Sequence, residues 1–137
     1  MKIIIETQVN ASLDAVWSAW TTPEDIIGWN FASDDWACPS AELDLKKDGN
    51  FCYRMEAKDG SMGFDFNGTF IHINPKRAIH YKIEDGRLVT VEFIEQDKSV
   101  KVIEEFEAED ENSAEMQKQG WQSILNNFKK HVENKVR

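Results

Sequence analysis

The chain has 137 residues and a formal net charge of −9, long enough for one domain with its own core and too acidic to favour nucleic-acid phosphates or anionic lipid as partners. No apolar run approaches the ~18 residues of a membrane span, and the start Ile3-Ile4-Ile5 is too short for the apolar segment of a secretory leader. The two cysteines, Cys38 and Cys52, lack CxxC spacing, and together these features fit a reducing cytoplasm.

Residues 2–9 alternate Ile3, Ile5 and Thr7 against Ile4, Glu6 and Gln8, the period of a strand. Asn10 and Ser12 can then cap a short helix with Leu13, Val16, Trp17 and Trp20 on one face. Thr22-Pro23-Glu24-Asp25 supplies a cap, a proline at the first helical position and a carboxylate three residues after the cap, which predicts a second short helix ending near Gly28 or Trp29. Residues 36–39 read as a turn. Strands are expected at 41–45 and 50–57, joined by the turn Lys47-Asp48-Gly49.

Residues 62–73 set Phe64, Phe66 and Phe70 against Asp65, Asn67 and Thr69, then change phase so that Ile71 and Ile73 become the apolar positions. Gly68, in the middle, marks a bulge or a close backbone approach. After Asn74-Pro75-Lys76, residues 78–84 place Ile79, Tyr81 and Ile83 on one face, and Asp85-Gly86 is a hairpin turn. Strands at 88–95 and 100–108 follow, with Val89, Val91 and Phe93 in phase in the first and Val100, Val102 and Phe106 in the second. Every connection is short, so the sheet is antiparallel.

Residues 113–135 form the last element, a helix whose apolar stripe is Met116, Gly120, Trp121, Ile124, Leu125, Phe128 and Val132. At about 1.5 Å per residue it runs roughly 33 Å, enough to cross a whole sheet. Asn112 and Ser113 are its candidate caps, and Glu115 and Lys135 suit the helix dipole at either end. The acidic run Glu104, Glu105, Glu107, Glu109, Asp110 and Glu111 reads as a solvated strand end and helix entry, a docking patch for a basic partner being the alternative.

Four stretches carry a family resemblance: "ASLDAVWSAWTTPEDIIGW", "DFNGTFIHINPKRAIHYKIEDGR", "VTVEF" and "EMQKQGWQSILNNFKKHVE". In order and spacing they resemble the helix-grip superfamily of START-like and birch-pollen-allergen-like (SRPBCC) domains, in the branch named for homologues of the activator of the heat-shock-protein-90 ATPase. The resemblance implies an α+β fold in one domain over residues 1–137: a curved seven-stranded antiparallel sheet wrapped around the C-terminal helix, with two short helices between strands one and two and an apolar cavity enclosed. Members bind lipids, polyketides or other apolar molecules, and some catalyse cyclisation or hydrolysis. The expectation is of this domain alone, without the extra N-terminal domain of the eukaryotic co-chaperone, so chaperone activation is not expected.

Strand alternation nominates a concave lining of Tyr53, Met55, Phe64, Phe66, Tyr81, Val91, Phe93 and Val102, covered by Trp121, Leu125 and Phe128, with Trp17, Trp20 and Trp29 near the mouth. The same residues could instead simply fill a core. Glu104 shares the phase of Val100, Val102 and Phe106, where an apolar side chain is expected. Pointing inward it could bind a ligand hydroxyl or act as a general base, but burial of a carboxylate is costly, and the expectation is that a bulge or strand end swings it outward. His72 has no settled direction because of the phase change. The three histidines and two cysteines show no metal-ligand spacing, and phosphate-loop, dinucleotide and GxSxG patterns are absent, so no cofactor is expected. The leading expectation is a binding domain for a small, mostly apolar molecule. A cyclase or hydrolase acting on such a molecule and a protein-interaction or co-chaperone-like domain are the alternatives, and self-association is left open.

Overall fold

The computed structural model describes residues 1–136. Its elements are β1 (Lys2–Val9), α1 (Leu13–Thr21), α2 (Pro23–Ile26), β2 (Trp36–Leu43), β3 (Asn50–Ala57), β4 (Gly63–Asn74), β5 (Ala78–Ile83), β6 (Leu88–Glu95), β7 (Val100–Glu107) and α3 (Ala114–Lys135). The seven strands make one curved antiparallel sheet in the order β1-β7-β6-β5-β4-β3-β2. Short turns join β2 through β7, so these strands lie side by side in chain order. β1 pairs instead with β7, so the chain must travel from one sheet edge to the other before β2, and α1, α2 and the loop after them carry it.

β7 alternates strictly, with Val100, Val102, Glu104 and Phe106 buried, and β6 adds Val89, Val91 and Phe93 to the same concave face. α3 lays Leu125, Phe128 and Val132 over this surface. Polar ties then fix the helix along the β1 edge: Gln122 Nε2 donates to the Glu6 carbonyl (3.2 Å), Lys129 Nζ to the Gln8 carbonyl, and the Asn10 amide to Glu133 Oε2 (2.8 Å). Six strand-to-strand steps of about 4.8 Å make the sheet near 29 Å wide, almost three times the ~10 Å diameter of a helix. One helix held at the β1 side therefore cannot pack down on the whole sheet, and space is left between it and the concave face of β3–β5.

The ends of α3 and α1 follow the capping rules, since Ser113 Oγ accepts from the Met116 amide and Ser12 Oγ from the Ala15 amide, each at 3.1 Å. Several local expectations are corrected. The stretch read as a turn at 36–39 is the start of β2, and the register shifts between Ala37 and Ser40; Pro39 cannot donate to a ladder and is accommodated because β2 is an edge strand with an irregularity there. Thr22 precedes α2, but its side chain makes no capping bond, and the helix stops at Ile26 while backbone turns run on to Asn30. Met116 is 62% exposed and Gln117 points inward instead. Gln117 closes the β7–α3 loop: Nε2 donates to the carbonyls of Glu109 (3.1 Å) and Asn112 (2.8 Å), and Oε1 accepts from the Glu109 amide (2.9 Å).

The phase change in β4 is real, but its bulge lies between Phe70 and His72 rather than at Gly68. Gly68 is the site of close approach: a Cβ there would sit 2.5 Å from the Phe51 ring and 2.6 Å from the Lys82 carbonyl oxygen. Beyond the bulge, His72 is exposed next to its ladder partner His80, ring centroids 5.1 Å apart. Asp25 ties the short helices to the far end of α3, accepting from Lys135 Nζ (2.7 Å) and His131 Nε2 (2.8 Å).

Candidate functional site

Between the sheet and α3 lies a cavity of about 340 Å³. β3 and β4 wall it with Phe51, Tyr53, Met55, Phe64, Phe66 and Phe70, β5 and β7 with Ile79, Tyr81 and Glu104, and α3 with Trp121, Ile124 and Leu125. Trp20, Thr21, Trp29, Asn30, Leu43, Leu45, Arg87 and Glu109 complete the wall from the helices, edges and loops. The aromatic groups support one another. Trp121 stacks on Phe106 (centroids 4.0 Å apart, 9° between planes), and Phe51 packs against Tyr53, Phe66, Phe70 and Tyr81 at 5.0 to 5.8 Å. A broader depression of about 970 Å³ on the outer side of β2–β5, near Glu42, Cys52, Asn67 and Glu84, is open to solvent and has no covering element.

Of the residues expected from sequence, Trp20, Trp29, Tyr53, Met55, Phe64, Phe66, Tyr81, Glu104, Trp121 and Leu125 meet at this cavity. Trp17, Val91, Phe93, Val102 and Phe128 do not reach its wall. They belong to the packed core beside it: Trp17 meets Phe93 edge-on at 5.4 Å, and Phe128 meets Trp20 at 4.8 Å and Trp29 at 4.9 Å. Val91 is fully buried between Ile79 and Glu104 in the ladder. Alternation tells which face a side chain takes but not how deep along that face it lies. Wall residues Phe51, Phe70, Ile79 and Ile124 share the phase of neighbours that were nominated, so periodicity could have found them. Asn30, Arg87 and Glu109 sit in loops and carry no periodic signal.

Glu104 overturns the outward expectation. No bulge interrupts β7, where Glu104 pairs with Ile5 on one side and Val91 on the other, so strict alternation turns it inward and leaves it 6% exposed. Burial alone pushes its carboxyl from 4.5 up to about 8. Among the described residues no protein group hydrogen-bonds the Glu104 carboxyl or the hydroxyls of Tyr81 and Tyr53. Among the described residues no side-chain oxygen is both sealed and unpartnered, so these three groups keep their polar atoms in contact with the cavity. Burial pushes the Tyr81 phenol well up, and the nearby Glu104 charge adds to it; burial likewise raises Tyr53. Arg87 is bound at the rim, Nε donating to Asp85 Oδ2 (2.9 Å) and Nη1 to the Glu107 carbonyl (3.2 Å). Among the described residues no group of three or more His, Cys, Asp and Glu could hold a metal ion, and no helix is long and apolar enough to cross a membrane.

Solved structures share this architecture. An AHSA1-like protein from Aeromonas hydrophila, determined in solution, is 43% identical, with 99% of this chain and 94% of that chain covered and a TM-score of 0.94. A protein from Cytophaga hutchinsonii is 41% identical over 98% of this chain and 94% of its own, with a TM-score of 0.84. A Nitrosomonas europaea protein is only 13% identical, over 99% and 96% of the two chains with a TM-score of 0.85, and shares the fold alone. No curated protein matches the chain. The family described as Activator of Hsp90 ATPase homolog 1-like protein matches residues 10–133. The chain therefore belongs to the Activator of Hsp90 ATPase homolog 1-like family, of the helix-grip type known for ligand binding.

Proposed function

We propose that this protein binds a small, mostly apolar molecule in the cavity between the sheet and α3. The carrying observation is a covered space, walled by aromatic side chains, into which Glu104, Tyr81 and Tyr53 turn polar atoms that no group among the described residues satisfies. Its volume of about 340 Å³ lies at the lower end of the ~300–1,000 Å³ typical of ligand pockets, so the guest is small. Binding takes place inside one domain in a reducing compartment, a setting supported by the free thiols of Cys38 and Cys52.

Native mass spectrometry of protein purified without detergent tests this. The expected result is a discrete added mass below about 1 kDa, lost on denaturation, or tryptophan fluorescence changes on adding apolar compounds of that size. A clean apo mass with no response to such compounds would overturn the reading. A second reading, a cyclase or hydrolase, is favoured by the position of Glu104, a buried carboxyl in the cavity wall that burial pushes up to about 8, in the range suited to general acid or base work. Replacing Glu104 by Gln should then abolish turnover of an identified substrate while leaving its binding intact.

A further inference from the structure

Glu104 presents an acceptor that the protein itself leaves unmatched. Tyr81 lines the same cavity, near enough for the Glu104 charge to raise its phenol, and no lysine or histidine lines the cavity among the described residues. Arg87, the cation in the wall, pairs with Asp85 and donates to the Glu107 carbonyl, and its charge offsets part of the rise at Tyr81. Glu109, the other charged wall residue, accepts from the amide and side chain of Asn112 at 2.8 and 2.6 Å. The flanking residues from β1 and β6 are Ile5 and Val91, and α3 contributes Trp121, Ile124 and Leu125. Among the described residues the cavity thus offers a carboxyl, hydroxyl oxygens and aromatic faces, and its one cation is paired with Asp85.

Resting on the binding reading above, we infer that the guest is a small cationic amine. Its ammonium donates to the Glu104 carboxylate and the Tyr81 hydroxyl oxygen, and its apolar body lies against Phe66, Trp121 and Leu125. Chemistry separates this guest from the others. An anion would face Glu109 and the negative ring faces, and the cation in the wall, Arg87, is already paired with Asp85. A neutral alcohol or ketone would make an ordinary hydrogen bond to a protonated carboxyl. An ammonium forms an ion pair away from water and finds the negative faces of the aromatic rings. The net charge of −9 also concentrates cations around the protein.

Entry of an ammonium displaces a proton. The Glu104 carboxyl titrates at about 8, so at neutral pH it is mostly protonated, and pairing with a cation sends that proton to solvent. The test compares three probes of matched size by calorimetry and tryptophan fluorescence: 2-phenylethylamine, 2-phenylethanol and naphthalene. At pH 7 the amine should bind about tenfold or more tighter than the alcohol. Calorimetry in buffers of different ionisation heat should show close to one proton released per amine and none per alcohol. In Glu104→Gln the amine preference should fall to about unity while alcohol binding persists. If the alcohol or naphthalene binds and the amine gains nothing over them, the amine inference fails and the cavity reading stands. If none of the three binds, both fail. The wild-type affinity ratio and proton count decide the matter even if the variant does not fold.

Discussion

Raising the pH should destabilise this protein through Glu104, and replacing that residue by Gln should remove the effect. The carboxyl ionises at 4.5 in an unfolded chain and at about 8 in the folded one, where burial disfavours the charge. Between those values only the unfolded state gives up the proton, so each pH unit favours unfolding by about 1.4 kcal/mol, and the penalty levels off above the folded value. A separation of about three and a half pH units sets a ceiling of about 4 to 5 kcal/mol. The carboxyl oxygens touch the cavity, where water can solvate the anion, so about 2 to 4 kcal/mol is expected. Urea unfolding of wild type and Glu104→Gln at pH 5, 7 and 9 measures it. The variant's stability relative to wild type should rise by that amount from the lowest to the highest pH. A difference that stays constant across the range would refute the reasoning, because it would mean that the folded carboxyl ionises as freely as the unfolded one.

Acid should act oppositely at Asp25, which is 4% exposed. Burial pushes its carboxyl up, but hydrogen bonds and charge from Lys135 and His131 outweigh this and hold it below its ordinary 3.8. Its stabilisation is therefore complete above 3.8 and is lost as pH falls through the depressed folded value; Asp25→Ala should cost about 1 to 3 kcal/mol at pH 7 and converge with wild type in acid, read by thermal unfolding. Gly68→Ala places a methyl 2.5 Å from the Phe51 ring and 2.6 Å from the Lys82 carbonyl oxygen, and the backbone contact cannot yield cheaply. A loss of about 1 to 3 kcal/mol in chemical denaturation is expected, where an open strand position would gain from the same change. Gln117→Leu leaves the Glu109 amide and two carbonyls without their partner. Stability should fall by about 1 to 3 kcal/mol, and the Glu109 amide should exchange with solvent faster than in wild type.

The order of elements was readable from sequence because its causes are local. Period-two alternation marks β1 and β5–β7, turn words such as Asp85-Gly86 mark the hairpins, and Ser12 and Ser113 sit where helices need a side-chain oxygen. The resemblance carried by the four stretches reached the same fold. Errors arose where a neighbour in space overrode local signals. Edge placement lets β2 run through Pro39, the position of the β4 bulge depends on its pairing with β5, and Gln117 rather than Met116 turns inward because it has the β7–α3 loop to bind. The cavity is the clearest case. Alternation put Phe64, Phe66, Tyr81 and Phe93 on one face alike, but only the seating of α3 along β1 decides which of them border empty space and which are packed over. Glu104 shows the same division: its phase is a property of the strand, whereas its exposure depends on the absence of a bulge in β7 and on α3 shutting out solvent. Depth and vacancy are relations between elements far apart in the chain, so they belong to the tertiary structure alone.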